Sequence, residues 1–216
     1  MIDGTGALTW VSAFETQVRA EGATIAAMGE RLGYPGLDTR LGEVFSSGRS
    51  FTPPRESATF HDVFTALARS FVETDSLAGA AFGILFHALA REVRDDEAAN
   101  TATLASSVRT AEKTISRRTG ARLGDKTLLD ALAPTGARLA DAAAAGVRAV
   151  PALAVAGDAA REGARATEAL PPRFAAAPAP LDADGGLGVA DPGAVVVALF
   201  FEAGGAMHTR APTPGR

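Results

Sequence analysis

Two glycine-bracketed turns carry the polar residues of this chain that could contact a ligand. The first reads Gly-Asp-Lys-Thr-Leu-Leu-Asp at 124–130, and the second reads Gly-Val-Ala-Asp-Pro-Gly-Ala at 188–194. In each turn glycine frees the backbone, and an aspartate can accept hydrogen bonds from the N–H groups that begin the next helix. Apolar residues at helical spacing follow both turns. Two such turns in one helical chain predict a single shared rim.

Each turn also has a purely structural interpretation. Asp125, Lys126 and Thr127 could contact a ligand at the rim, or they could form an ordinary helix cap with a solvated lysine. The sequence leaves both interpretations open. For Asp191, the Asp-Pro-Gly sequence favours a turn that caps the last helix.

Composition excludes several other kinds of site. The chain has no cysteine, which rules out disulfides, thiolate metal sites and cysteine nucleophiles. Its three histidines, His61, His87 and His208, share no metal-ligand spacing and suggest no Ser-His-Asp arrangement. His87 lies within an apolar helical run, where we expect a buried core histidine.

The bulk properties predict one helical domain. The chain has 216 residues, only 6% aromatics and abundant alanine, the best helix former. A net charge of −4 with scattered basic residues argues against nucleic acid as a partner. Apolar runs are too short for a transmembrane helix, so we expect no membrane association and a cytoplasmic location.

Hydrophobic periodicity predicts about eight antiparallel helices in one all-α domain. The expected helices cover 7–28, 37–45, 57–71, 77–90, 101–118, 127–145, 150–170 and 194–203. Ser57 should cap the third of these helices, and Asp75 with Ser76 should cap the fourth. The helix at 77–90 is apolar on all sides and should be the most buried. Its stripe of Phe82, Phe86 and Leu89 should line the interior or, alternatively, border an apolar ligand cavity. The expected domain ends at residue 203, and 204–216 should be a disordered tail.

The two turns, their order and the number of helices resemble the nucleotide-binding L subunit, or L domain, of the dihydroxyacetone kinases. A weaker match, Gly-Ala-Ala-Phe-Gly at 79–83, looks like the tail of that family's phosphate loop. The resemblance covers residues 10–202 and implies a closed helical barrel that binds ATP or ADP with magnesium at one end. It also implies a set of candidate nucleotide contacts. These are Gly79, Gly124, Asp125, Lys126, Thr127, Leu128, Asp191 and Gly193.

The chain departs from this family where the metal ions should bind. The family has three aspartates in and before a Gly-Asp-Gly-Asp-His-Gly run, and an ungapped match places Gly29, Tyr34 and Gly36 at those positions. None of these side chains can supply the hard oxygen ligands that magnesium requires. Glu30 and Asp38 are the nearby acids, but neither restores the family spacing.

Two further segments differ from the family pattern. Where the family has Gly-Gly-x-Ser-Gly, this chain reads Asp-Ser-Leu-Ala-Gly at 75–79, which removes the glycine pair and the phosphate-binding serine. An aspartate near a phosphate disfavours binding because the charges repel. The Arg-Ser and His that precede the family's Asp-Pro-Gly turn are replaced by Gly185, Gly186 and Val189.

These departures predict a divergent L-subunit homologue with impaired magnesium–nucleotide binding and a regulatory, ligand-binding or partner-binding role. No bound cofactor is then expected; if nucleotide binding is retained, the cofactor is ATP or ADP with magnesium. The alternative is a working kinase subunit, a phosphotransferase for dihydroxyacetone or a related short sugar, with Glu30 and Asp38 as replacement metal ligands. A dihydroxyacetone-binding K subunit and a second copy of the chain are the candidate partners. A metal-independent reaction at the barrel mouth is a third hypothesis, for which the sequence names no acid/base pair.

Overall fold

A computed structural model of the chain describes residues 1–33, 41–45, 58–74, 76–93, 98–173 and 185–209. Within these ranges the regular structure is helical, apart from one isolated antiparallel bridge between Ile2 and Ala99. The long helices are α1 (Gly4–Ala20), α2 (Gly22–Arg31), α3 (Phe60–Val72), α4 (Leu77–Glu92), α5 (Thr101–Thr119), α6 (Leu129–Ala144), α7 (Ala149–Ala166) and α8 (Pro192–Gly205). Residues 41–45 form a further helical turn, and short 3-10 helices follow α7 (Thr167–Ala169) and α8 (Ala206–Thr209). The all-α prediction is confirmed.

Most of these helices begin at a side-chain cap. Asp3 accepts a hydrogen bond from the Gly6 N–H at the start of α1, and Asn100 accepts one from Thr103 at the start of α5. At α3, Thr59 and Asp62 form a reciprocal capping box. The predicted cap at Ser57 lies outside the described residues. Ser76 caps α4, as predicted.

The prediction of one helix over 7–28 is wrong. The chain turns at Glu21, whose φ and ψ are −92° and 2°, and α2 begins at the next residue. The buried residues Val18 and Ile25 lie on either side of the turn and keep helical spacing. Because the apolar repeat continues through the break, periodicity alone could not reveal it.

Two predictions about burial and the C-terminus are also wrong. α8 exposes no residue, whereas α4 exposes several, including His87, so α8 is the more deeply buried helix and His87 is not a core histidine. α8 continues to Gly205, and a 3-10 helix extends to Thr209, so the predicted disordered tail does not begin at 204. The backbone at Gly204 lies close against the core, which holds this end of α8 in place. Residues 210–216 lie outside the described residues.

The helices form a closed ring. α3 packs against α4, and each later helix packs against the next as far as α8, which packs against α1; α1 in turn packs against α3. α2 contacts α1 and α8. This ring of successive, mutually packed helices confirms the predicted closed helical barrel. Across the described part of the chain, no helix combines the length and apolar character needed to span a bilayer.

Aromatic side chains fill the interior of the ring around Phe200 of α8. The Trp10 ring stacks on Phe200 at a centroid distance of 4.5 Å, and its Nε1–H donates to the Phe200 carbonyl oxygen over 2.6 Å. Phe14 and Phe86 meet Phe200 edge-on at 5.3 and 5.0 Å. Such pairs each contribute about 0.5–1.5 kcal/mol beyond the area they bury. Phe200 therefore joins α1 and α4 to α8.

The predicted interior stripe on α4 is part of this core. Phe82, Phe86 and Leu89 are all buried, and Phe71 of α3 contacts the first two rings at 5.2 and 5.0 Å. A groove of about 350 Å³ lies between α3 and α4, but other residues line it, including Arg69, Gly83 and His87. The stripe thus packs against neighbouring aromatic rings.

A methyl group at Gly204 should destabilise the ring closure. A Cβ there would lie 2.7 Å from Cε2 of Trp10 and 2.9 Å from Cδ1 of Leu153, closer than carbon atoms pack. We expect Gly204→Ala to lower the free energy of unfolding by about 1–3 kcal/mol in urea denaturation. Gly22→Ala is the matched control, since a Cβ at Gly22 meets nothing within 4 Å. Equal stability of the two variants would contradict the overpacking.

Candidate functional site

The first glycine turn joins α5 to α6 and is closed by Asp130. The carboxylate of Asp130 accepts hydrogen bonds from the N–H of Gly124 at 2.6 Å and of Thr127 at 2.8 Å. Asp125 instead accepts from the N–H of Arg122 at 2.8 Å, so the expectation that Asp125 caps the helix is wrong. The signal for Asp130 is present in the sequence, because Thr-x-x-Asp at 127–130 has the spacing of a capping box.

Lys126 points into the protein from this turn. Its side chain is 4% exposed, and its Nζ donates to the backbone carbonyl oxygens of Thr167, Leu170 and Val189 at 2.7, 3.0 and 2.6 Å. Lys126 is the one non-glycine residue with positive φ in the described ranges, at 60°. A left-handed conformation costs a side-chain-bearing residue roughly 1–2 kcal/mol. The interpretation of Lys126 as a solvated lysine is therefore wrong.

The second glycine turn begins α8, and Asp191 is its N-cap. The Asp191 Oδ1 accepts from the N–H of Ala194 at 2.7 Å, with Pro192 at the first helical position. The backbone N–H of Asp191 donates to Oγ1 of Thr167 at 2.8 Å. The structural interpretation of Asp191 is thus confirmed.

The two turns meet at one end of the ring, as the sequence predicts. A Cβ at Gly193 would lie 3.4 Å from Cβ of Leu128 and 3.1 Å from Oδ1 of Asp191, so glycine permits this close approach. The Lys126 Nζ bond to the Val189 carbonyl crosses between the same two turns. Candidate residues from both turns therefore share one rim.

Charges on the rim are buried and opposite in sign. Burial raises the pKa of Asp191 to about 7. The hydrogen bond from the Ala194 N–H lowers this pKa, the negative charge of Asp130 raises it, and the positive charge of Lys126 lowers it. Burial lowers the pKa of Lys126, against the attraction of Asp191 and Glu168. Because three carbonyl oxygens each take one N–H from Nζ, Lys126 is held as the ammonium ion.

The remaining candidate residues lie in different places. Gly79 lies in the first turn of α4, where its N–H donates to Ser76 Oγ and a Cβ would lie 2.0 Å from Thr74 Oγ1. This glycine therefore allows α3 and α4 to pack closely at their connection. Glu30 is exposed near the end of α2. Asp38 and Asp75 lie outside the described residues.

The end of α2 approaches the rim. Leu32 lies against the residues just before the second turn, because a Cβ at Gly186 would lie 2.6 Å from its Cδ2, and the charge of Arg31 acts on Lys126. The segment that aligns with the family's metal-binding run thus begins beside the rim. Over the described ranges, no three His, Cys, Asp or Glu residues group closely enough to hold a metal ion.

A closed all-helical ring with two glycine turns at one end defines the class of protein. The DAK2 domain family model matches residues 45–205, and the chain belongs to the DAK2 domain family. No curated protein matches the chain.

Solved structures of a kinase share the fold. The dihydroxyacetone kinase of C. freundii in its native form is similar with a TM-score of 0.68 and 19% identity, over 93% of this chain and 34% of that one. The same kinase in complex with AMP-PNP and Mg²⁺ gives a TM-score of 0.64 and 19% identity, over 94% of this chain and 33% of that one. The chain thus spans about a third of the length of that kinase. At 19% identity, the similarity to these structures shows a shared fold and nothing more.

The buried carboxylate of Asp191 should make stability depend on pH. Its pKa is about 7 in the folded chain against an ordinary 3.8, so between these values the folded state binds the extra proton. The stability that this proton on Asp191 contributes to the folded state is present at low pH and is lost as the pH rises through 7. We expect the unfolding free energy of the wild type, relative to Asp191→Asn, to fall by up to about 1.4 kcal/mol per pH unit within that window.

Urea denaturation of the two proteins from about pH 5 to about pH 8 measures this difference. Asn keeps an oxygen for the Ala194 N–H but does not ionise in this range, so it isolates the titration. A pH-independent difference would show that Asp191 does not titrate there.

Proposed function

We propose that the chain is a divergent homologue of the ATP-binding L subunit of dihydroxyacetone kinase, impaired in magnesium–nucleotide binding and acting as a regulatory or ligand- or partner-binding protein. The observation that carries this proposal is the position of Lys126. All three N–H groups of its ammonium are taken by backbone carbonyls of the chain itself. A rim lysine that bound a nucleotide phosphate would have to leave these partners.

The energetic cost of releasing Lys126 supports this proposal. Hydrogen bonds that involve a charged group contribute about 1.5–3 kcal/mol each, and a buried acceptor left without a donor costs a similar amount. Binding through Lys126 would therefore begin from a deficit of several kcal/mol. A deficit of 1.4 kcal/mol already weakens binding tenfold.

Other candidate contacts are also committed to the fold. Asp125 accepts from Arg122, Asp191 accepts from Ala194, and the N–H of Gly79 is held by Ser76. The sequence adds that glycine stands at 29, where the resemblance expects a magnesium-binding aspartate. Magnesium requires oxygen ligands in near-octahedral geometry, and a glycine side chain provides none.

The alternative function is that of a working kinase subunit. Membership in the DAK2 domain family and the meeting of both turns at one rim favour it. In this version Asp125, Lys126, Thr127 and Asp191 frame the nucleotide, and Glu30 and Asp38 replace the missing metal ligands. A separate K subunit would hold dihydroxyacetone or a related short sugar.

Titration with magnesium–ADP separates the two functions. We expect no calorimetric binding and no rise in melting temperature at micromolar magnesium–ADP, since the rim side chains are held by the protein. A ligand at 100 times its dissociation constant would add about 2.7 kcal/mol to stability, which a melting curve resolves. The positive control is the C. freundii kinase, whose structure holds AMP-PNP and Mg²⁺. It is titrated with AMP-PNP and Mg²⁺.

A clear stabilisation by micromolar magnesium–ADP would reject the impaired-binding proposal and favour the kinase. The replacement ligands can then be tested in an assay reconstituted with a K subunit. Glu30→Ala combined with Asp38→Ala should abolish phosphoryl transfer if these residues hold the metal. Unchanged transfer would exclude them as the metal site.

A further inference from the structure

Three backbone carbonyl oxygens converge on one point beneath the rim. Those of Thr167 and Leu170 come from the 3-10 helix that ends α7 and the residue after it, and that of Val189 comes from the turn before α8. The Thr167 oxygen also accepts the N–H of Leu170 at 3.1 Å, and carbonyls at the end of a helix carry the negative end of its dipole. Such a cluster attracts a cation.

Nearby acidic groups increase this attraction. Asp191, Glu168 and Asp130 all act electrostatically on the ammonium that occupies the point, while Arg31 opposes them. Two of the three carbonyls belong to buried residues, since Thr167 is fully buried and Val189 is 5% exposed, whereas Leu170 is half-buried. Buried carbonyl oxygens that lack hydrogen-bond donors destabilise the folded state.

The chain supplies hydrogen-bond donors to these oxygens through Lys126, at a cost in free energy. Lys126 adopts a positive φ, and its long side chain is immobilised with 4% exposure. Both features oppose folding, the first by steric strain and the second by the loss of side-chain entropy. Placing one ammonium among the three oxygens offsets these costs.

We propose that the three carbonyls form a binding site for a small monovalent cation, which the chain occupies with the tethered ammonium of Lys126. The site takes ammonium-type ions, which can donate hydrogen bonds to carbonyl oxygens at the observed distances of 2.6 to 3.0 Å. Tethering makes the rim independent of dissolved cations. This assignment does not depend on the proposed function.

Chemical rescue of Lys126→Ala tests the site. The truncated side chain removes one hydrogen-bond donor from each of the three oxygens and leaves room for a free ion, so the variant should melt well below the wild type. Ammonium or methylammonium chloride should raise its melting temperature, and the rise should grow with the logarithm of the ion concentration above the dissociation constant. Tetramethylammonium chloride at the same ionic strength has no N–H to donate and should produce no such rise.

Two control variants separate a cation site from general salt effects. Lys126→Met fills the same volume with an apolar side chain and should show no difference between ammonium and tetramethylammonium. Lys113→Ala removes the only other lysine, which is exposed, and should keep the stability of the wild type in every salt. If Lys126→Ala does not fold in tetramethylammonium chloride, the yield of folded protein on refolding in each salt replaces the melting temperature.

The outcomes decide the proposal in either case. Selective rescue of Lys126→Ala by ammonium, with or without rescue by potassium, supports a carbonyl cation site. Equal effects of ammonium and tetramethylammonium, or selective rescue of Lys126→Met as well, would overturn it. A Lys126→Ala variant as stable as the wild type would also overturn it, because the carbonyls would then need no cation.

Discussion

The rim of this protein depends on one buried ammonium group. Lys126 lies in the turn before α6, and its Nζ donates hydrogen bonds both to the end of α7 and to the turn before α8. Apolar packing holds the helices side by side, but it offers no hydrogen-bond donors to the three carbonyl oxygens around Nζ. A buried cation with three acceptors and neighbouring carboxylates provides these donors without a large unpaired charge.

This arrangement shows how the two glycine turns can serve the fold without contacting a ligand. Their polar groups hold the ring closed at its rim, within the part of the chain that matches the DAK2 domain family. Retained motifs in such a protein indicate architecture first, and activity only where their polar groups are free to reach a ligand.

The sequence predicts the ring and the rim because these depend on local rules. Helical spacing, the Ser76 cap and the Asp-Pro-Gly turn at Asp191 act over a few residues, and each matches the structure. The turn at Glu21 is not predictable, because the apolar repeat continues across it. The burial of Lys126 is also hidden, since its partners are backbone carbonyls 41 to 63 residues away that no side-chain pattern reveals.

The contact between Trp10 and Phe200 has a consequence for how the chain folds. The two residues are 190 positions apart, and their helices close the ring. Contacts so distant in sequence carry a high loop-closure entropy and form late. During synthesis the part of α1 that packs on α8 therefore stays uncovered until α8 has been made, although α1 also packs on α3. Trp10 is the only tryptophan, so its fluorescence reports the moment at which the ring closes.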